Sequence, residues 1–264
     1  MSSASASRTW AQLVAAVDEV PARFVPATTA DLPEPAQRLL DHALPAGVRL
    51  STATELRMEG EIRLGRRWMP FRAEQILRAG AGFVWRPVVG GRVMRFVGAD
   101  ELGPDGAGME FRFQGIVPVA RASGPDTARS AAGRLAAETV AWLPQALTPQ
   151  VGARWSPLDD RRAVVTLEAG SETVDVEVRV DAEGRLESLC LQRWNDAAKP
   201  PAFEPFGGRV EGEHLTEDGV RIAGSGSVGW GWGTAEAVRG VFFRYSVIAA
   251  TPLPGVPRPP SAST

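Results

Sequence analysis

The chain has 264 residues, 44% of them apolar and 23% charged, long enough to bury a sizeable core as one large domain. Its net charge of −2, from 29 basic and 31 acidic side chains, supplies no field that would gather nucleic acid or an anionic membrane, so no nucleic-acid partner is expected. The single cysteine, Cys190, excludes an intrachain disulfide and a thiolate metal cluster, and no stretch approaches the ~20 apolar residues of a transmembrane segment.

The N-terminus, MSSASASRTW, has no basic region ahead of an apolar core, which makes cytoplasmic the expected location. Residues 1–7 are Ser/Ala-rich and read as disordered, as does the Pro-rich tail 251–264. Residues 8–50 read as a helical segment. Trp10, Leu13, Val14 and Val17 fall at i, i+3, i+4 and i+7 on one face. A second helix opens near Asp31, takes Pro33 and Pro35 early, and aligns Ala36, Leu39, Leu40 and Ala43.

From Thr54 the period changes to two: Thr54, Leu56, Met58, Gly60, Ile62 and Leu64 alternate with Glu and Arg. Strand-like runs follow at 68–77, 82–89, 92–99 and 108–120. After a central helix at 126–143 they resume at 161–169, 172–181, 184–194, 203–215, 219–232 and 237–250. Gly, Pro or Asp bounds each run, and DAEGR (181–185) is the clearest hairpin signal. Connections this short join antiparallel neighbours, and a sheet this wide curls. The expected fold is mainly β (α+β). Residues 51–250 form a single large curved antiparallel sheet, a half-barrel of about eleven strands, with N-terminal helices and one central helix on its concave face.

The central helix is unusually small-sided, with Ala128, Ala131, Ala132 and Ala136 among its apolar positions. Short side chains let a helix axis approach strands closely, which suits the inside of a curved sheet. Arg134 and Glu138 stand four apart and read as an ion pair on a solvated face. Alternatively, Glu138 shares a stripe with Ala131, Leu135 and Trp142 and points into the hollow as a polar anchor.

Motifs of chemistry are sparse. GSGSVG (224–229) has the letters of a dinucleotide loop but runs into WGWG rather than opening a helix; on a strand, its bare face marks close approach by another element or a ligand. His42 and His214 lack metal-ligand spacing, and no GxSxG elbow presents a serine, so neither a metal, nor a cofactor, nor a catalytic triad is expected. Eight tryptophans accompany one tyrosine. Most read as core, but Trp85, Trp142, Trp230 and Trp232 lie on elements that the curved sheet brings to one hollow.

The blocks GRRWMPFRAEQIL (65–77), GPDTARSAAGRLAAETVAWLP (124–144), EPFGGRV (204–210) and GWGWGT (229–234) together resemble a family of bacterial proteins known as a domain of unknown function. The resemblance covers roughly residues 30–250 and implies no activity. The order of elements is similar to that of periplasmic lipoprotein carriers, whose curved sheet holds acyl chains beneath a helical lid; the N-terminus departs from theirs in showing no export signal, and fold does not fix function. The expected role is non-enzymatic binding of a hydrophobic or amphipathic small molecule, such as a lipid, between sheet and central helix. Arg134, Glu138, Trp142, Trp85, Trp230 and Trp232 are the candidate ligand-binding residues. A hydrolase or isomerase with Glu138 as general base is one alternative, and a protein-interaction module using an exposed sheet edge is another.

Overall fold

A two-residue period broken by glycine turns satisfies its backbone by pairing each run with the next, and the computed structural model, which describes residues 2–16, 19–20, 23–253 and 256–257, does so throughout. The first arm comprises β2 (Ala53–Leu64), β3 (Arg67–Arg78), β4 (Gly82–Gly90), β5 (Arg95–Gly103), β6 (Gly106–Phe113) and β7 (Val117–Ser123). The second comprises β8 (Arg154–Pro157), β9 (Arg162–Ala169), β10 (Glu172–Val180), β11 (Leu186–Asn195), β12 (Ala202–Leu215), β13 (Arg221–Trp230) and β14 (Val241–Pro252). These thirteen strands make one sheet in the order β7-β6-β5-β4-β3-β2-β14-β13-β12-β11-β10-β9-β8, with every pair antiparallel. Helices α1 (Ser2–Ala15), α2 (Glu34–Ala43), α3 (Pro125–Trp142) and the single turn α4 (Ala237–Gly240) complete it. β1 (Glu19–Val20) pairs in parallel with β15 (Val256–Pro257) as a separate ribbon.

The count exceeds the expected eleven for two reasons. The run 108–120 is two strands, because Gln114 and Gly115 both take positive φ (53° and 75°) and turn the chain on itself, with Ile116 N donating to Phe113 O at 3.1 Å. β8 is only four residues long and carries no readable period.

The helix α3 shows that the sheet is curved. It carries the chain from one edge strand, β7, toward the other, β8. A flat sheet of thirteen strands would hold those edges about 57 Å apart, and a helix about 27 Å long could not touch strands near both; α3 touches β3 to β7 on one arm and β9 to β11 on the other, so the sheet wraps around it. Eleven of its residues are buried, among them Ala131, Ala132, Ala136 and Ala137. At Gly133 even a Cβ would come within 2.8 Å of Arg193 Cγ on β11. The small side chains thus have the expected cause: the helix lies in the concavity with sheet on several sides.

Besides the β2–β14 pairing, the arms meet again far from it. Gly80, in the turn after β3, bridges Ala169 in parallel, and Gly170 N donates to Gly80 O at 2.9 Å. Seven strand-to-strand steps separate β3 from β9, and a twist of ~20–25° per step sums to about half a turn. Strands that run oppositely by sheet order therefore meet pointing the same way.

α2 packs on the concave side, where Ala36, Leu39, Leu40 and Ala43 join the main core, as their spacing predicts. α1 braces the opposite, convex face. Residues 2–7, expected to be disordered, form its first turns, because Ala6 and Leu13 close over Ile76, Val84 and Ala99. The alternate residues Gln75, Leu77, Phe83 and Trp85 face α3. Arg78 Nε donates to Leu13 O at 2.8 Å, and Val14 is exposed rather than part of the packed face. Leu13→Ala is expected to cost about 2–3 kcal/mol in urea unfolding, against less than ~0.5 kcal/mol for Val14→Ala; equal losses would show that α1 does not seal this face. Of the tail expected to be disordered, Thr251 and Pro252 finish β14 and residues 256–257 form β15. Residues 254–255 and 258–264 lie outside the described residues, as does Val17.

Candidate functional site

Where α3 presents Ala137 and Ala141 to the sheet, the short side chains do not fill the concavity, and a cavity of about 520 Å³ remains. Five residues of α3 and side chains from nine strands enclose it, most of them apolar: Ile62, Val89, Phe96, Phe111, Phe206 and Phe243 are typical. Five charged side chains reach the wall, namely Asp100, Arg134, Glu138, Arg193 and the exposed Arg209.

Arg134 and Glu138 do form the predicted i, i+4 pair, Nε to Oε1 at 2.6 Å, but the side chains are only 16% and 13% exposed and lie under the sheet rather than on a solvated face. Arg134 Nη1 also donates to Asp100 Oδ2 at 2.6 Å, and Gln75 Nε2 donates to Glu138 Oε2 at 2.5 Å. The guanidinium lies over the rings of Phe83 and Trp85, at 4.4 and 5.2 Å. Burial works against the charge of Arg134, yet the two carboxylates outweigh it and hold its pKa above the ordinary arginine value. The two expected anchors thus saturate each other, with help from Asp100 and Gln75.

Arg193, on β11, is different. Its Nε donates to Ser130 O at 3.0 Å and its Nη2 to Ser130 Oγ at 3.5 Å, and it lies over Phe206 and Trp230, at 4.6 and 5.3 Å. Among the described residues no carboxylate is in ion-pair contact with it. Burial, reinforced by repulsion from Arg134, pushes its pKa down to about 10, so the charge persists at neutral pH at an energetic cost.

Of the four tryptophans expected at the hollow, two line it. Trp85 packs with Phe71, Phe111 and Phe243 at ring distances of 5.7, 6.4 and 5.9 Å, and its Nε1 has no hydrogen-bond partner. Trp142 Nε1 donates to Ala223 O at 3.1 Å, and its ring meets Tyr245 edge-on at 5.5 Å. Trp230 is not on the wall; it packs against Phe206 at 5.0 Å, under Arg193. Trp232 is not there either. β13 shifts register after Val228 and ends at Trp230, and Gly231 at φ 72° starts a turn, so the alternation stops before Trp232. Its ring instead covers Gly207, where a Cβ would lie 2.7 Å from it.

GSGSVG lies within β13. The close approach its glycines permit is by neighbouring strands: a Cβ at Gly226 would meet Arg209 O at 2.3 Å and Tyr245 Oη at 3.1 Å. Groups able to do acid–base or nucleophilic work are restrained. His42 Nε2 and Glu213 Oε1 are 2.6 Å apart, and neither they nor His214 lines this cavity. Burial, then repulsion from Glu177, pushes the Cys190 thiol up to about 11 despite Arg162, so it stays protonated near neutrality. Burial likewise raises the Tyr245 phenol, with Glu211 and Glu138 adding to it. Among the described residues no group of His, Cys, Asp and Glu could hold a metal ion, and no helix is long and apolar enough to cross a membrane.

Gln75, Asp100 and Arg193 were not among the expected site residues, although the signal existed. Each keeps the parity of inward apolar neighbours: Ala73 and Leu77, Phe96 and Leu102, Leu189 and Leu191. A polar residue at an inward position of a strand is a site candidate for that reason alone.

Among the solved structures that resemble this one are the following three. A DUF1329 family protein from Desulfovibrio piger is 11% identical, with 87% of this chain and 94% of that chain covered and a TM-score of 0.42. A putative outer membrane lipoprotein-sorting protein domain from Vibrio parahaemolyticus is 10% identical over 77% and 86%, with a TM-score of 0.39. A LolA superfamily protein from Nitrosomonas europaea is 10% identical over 84% and 93%, with a TM-score of 0.41. No curated protein matches the sequence. The model of the family of unknown function DUF6544 matches residues 22–240, and the chain belongs to that family.

Proposed function

We propose that the protein binds a hydrophobic or amphipathic small molecule in the cavity beneath α3 and performs no chemistry on it. The observation that carries this reading is the cavity itself. A space of about 520 Å³ stays open after the helix has packed, it is walled mainly by aromatic and aliphatic side chains, and its polar groups are few. Ligand sites have this size and lining. An aqueous filling would suit such a wall poorly, since buried water needs several polar partners.

The general-base alternative is weakened at Glu138, where both carboxylate oxygens are engaged, one by Arg134 and one by Gln75. A base must also reach the proton it takes, and these contacts hold both oxygens against their partners.

The test is native mass spectrometry of protein purified from its own host, before and after solvent extraction, with a tryptophan-fluorescence titration of the extracted protein. The expected result is an extractable small-molecule adduct and a change in emission on adding aliphatic lipids, reported by Trp85 and Trp142 on the wall. A protein that emerges empty and whose emission ignores such lipids would overturn the reading.

A further inference from the structure

We infer that the occupant of this cavity carries an anionic head, a carboxylate or phosphate monoester on a single apolar tail, and that Arg193 receives it. The inference rests on the ligand-site reading above and narrows it to one ligand class.

Three arginines reach the cavity wall; Arg209 is exposed, and the two held under the sheet, Arg134 and Arg193, are not equivalent. Arg134 is neutralised by Asp100 and Glu138, each at 2.6 Å, and has no charge left to offer. Arg193 spends hydrogen bonds only on Ser130 and aromatic faces on one side, although a guanidinium has five N–H donors in a fork that matches carboxylates and phosphates. A guanidinium held in an apolar wall without a counter-ion is costly to keep there unless something else supplies the charge. The lowered pKa of Arg193 expresses that same cost.

The unused N–H groups of Arg193 donate, so the missing partner accepts, and an anion accepts best. Most of the remaining wall is apolar, formed by Phe111, Val119, Phe243 and Val228 among others, so a bare anion would leave most of the cavity unfilled.

The experiment is isothermal titration calorimetry on extracted protein with four single-tailed probes sharing one chain: myristate, myristyl phosphate, methyl myristate and myristyl alcohol. Acetate and inorganic phosphate serve as tailless anions. One or both anionic amphiphiles should bind about tenfold or more tighter than the ester and the alcohol, and which of the two does so identifies the head. Arg193→Met, which keeps the apolar stem, should abolish that preference while leaving ester affinity within about twofold, which also shows that the variant is folded.

Equal binding of all four tailed probes, or an anion preference that survives Arg193→Met, overturns the inference and leaves the cavity reading standing. Binding of acetate or inorganic phosphate as tight as that of the tailed anions overturns the amphiphile. Failure of every probe to bind overturns the ligand-site reading itself.

Discussion

Arg134→Met should lower the unfolding free energy by about 3–5 kcal/mol, with a fall in thermal midpoint on the order of 10 °C. The substitution removes the one cation between Asp100 and Glu138, whose side chains are 22% and 13% exposed, and leaves two carboxylates facing each other under the sheet. It also removes the guanidinium stacked on Phe83 and Trp85. Converting all three groups together, as Asp100→Asn, Arg134→Met and Glu138→Gln, should return much of the loss, because a buried pair costs most when only one partner goes. Urea titrations followed by tryptophan emission measure both. A loss below ~1 kcal/mol for the single variant would mean that solvent screens the network as it does a surface pair. Glu138→Gln alone should likewise register as lost stability, which is the signature of a structural ion pair and not of a general base.

Trp142→Ala is expected to cost about 3–5 kcal/mol. Its ring fills the space between α3 and Tyr245, and its Nε1–H donates to Ala223 O, so truncation opens a void and removes that hydrogen bond at once. Trp142→Phe keeps most of the packing and should cost nearer 1–2 kcal/mol, chiefly through the lost hydrogen bond. Because the void adjoins the cavity, the Ala variant should also accept branched or bulkier tails that the native protein excludes, as calorimetry with matched straight-chain and branched probes would show. An unchanged size preference would place the indole outside the ligand's reach.

The elements most legible from sequence were those where one local rule acts alone. The strict alternation from Thr54 to Leu64 set β2 and its pairing, and DAEGR closed as read, with Asp181 Oδ1 accepting from the backbone N–H of Glu183 and Arg185. Where residues took roles outside their usual preference, periodicity misled. Glutamine seldom sits at positive φ, so alternation alone carries a strand through the turn at Gln114, and a Ser/Ala-rich start has no apolar stripe of its own until a sheet face is there to bury Ala6.

The candidate site divides along the same line. Glu138, Trp142 and Trp85 are legible because a helix stripe and an aromatic strand announce their inward faces, whereas Arg134 falls outside that stripe and enters only as the partner of Glu138; all four line the cavity. Trp230 and Trp232 failed because a register shift and a glycine turn are tertiary events that alternation cannot see. Arg193 is hard to read for a different reason: a strand arginine is ordinarily solvent-facing, and only its shared parity with Leu189 and Leu191 says otherwise.

The junction between Gly80 and Gly170 gives the β surface an unusual mechanical character. With β3 and β9 fastened to each other, the eight strands from one to the other, through β2 and β14, make a hoop in place of a fan with loose ribs. Torsion introduced between any two neighbours must then be taken up by the remaining joints of the hoop, so the wall around α3 resists widening at one seam and shares any strain among all of them.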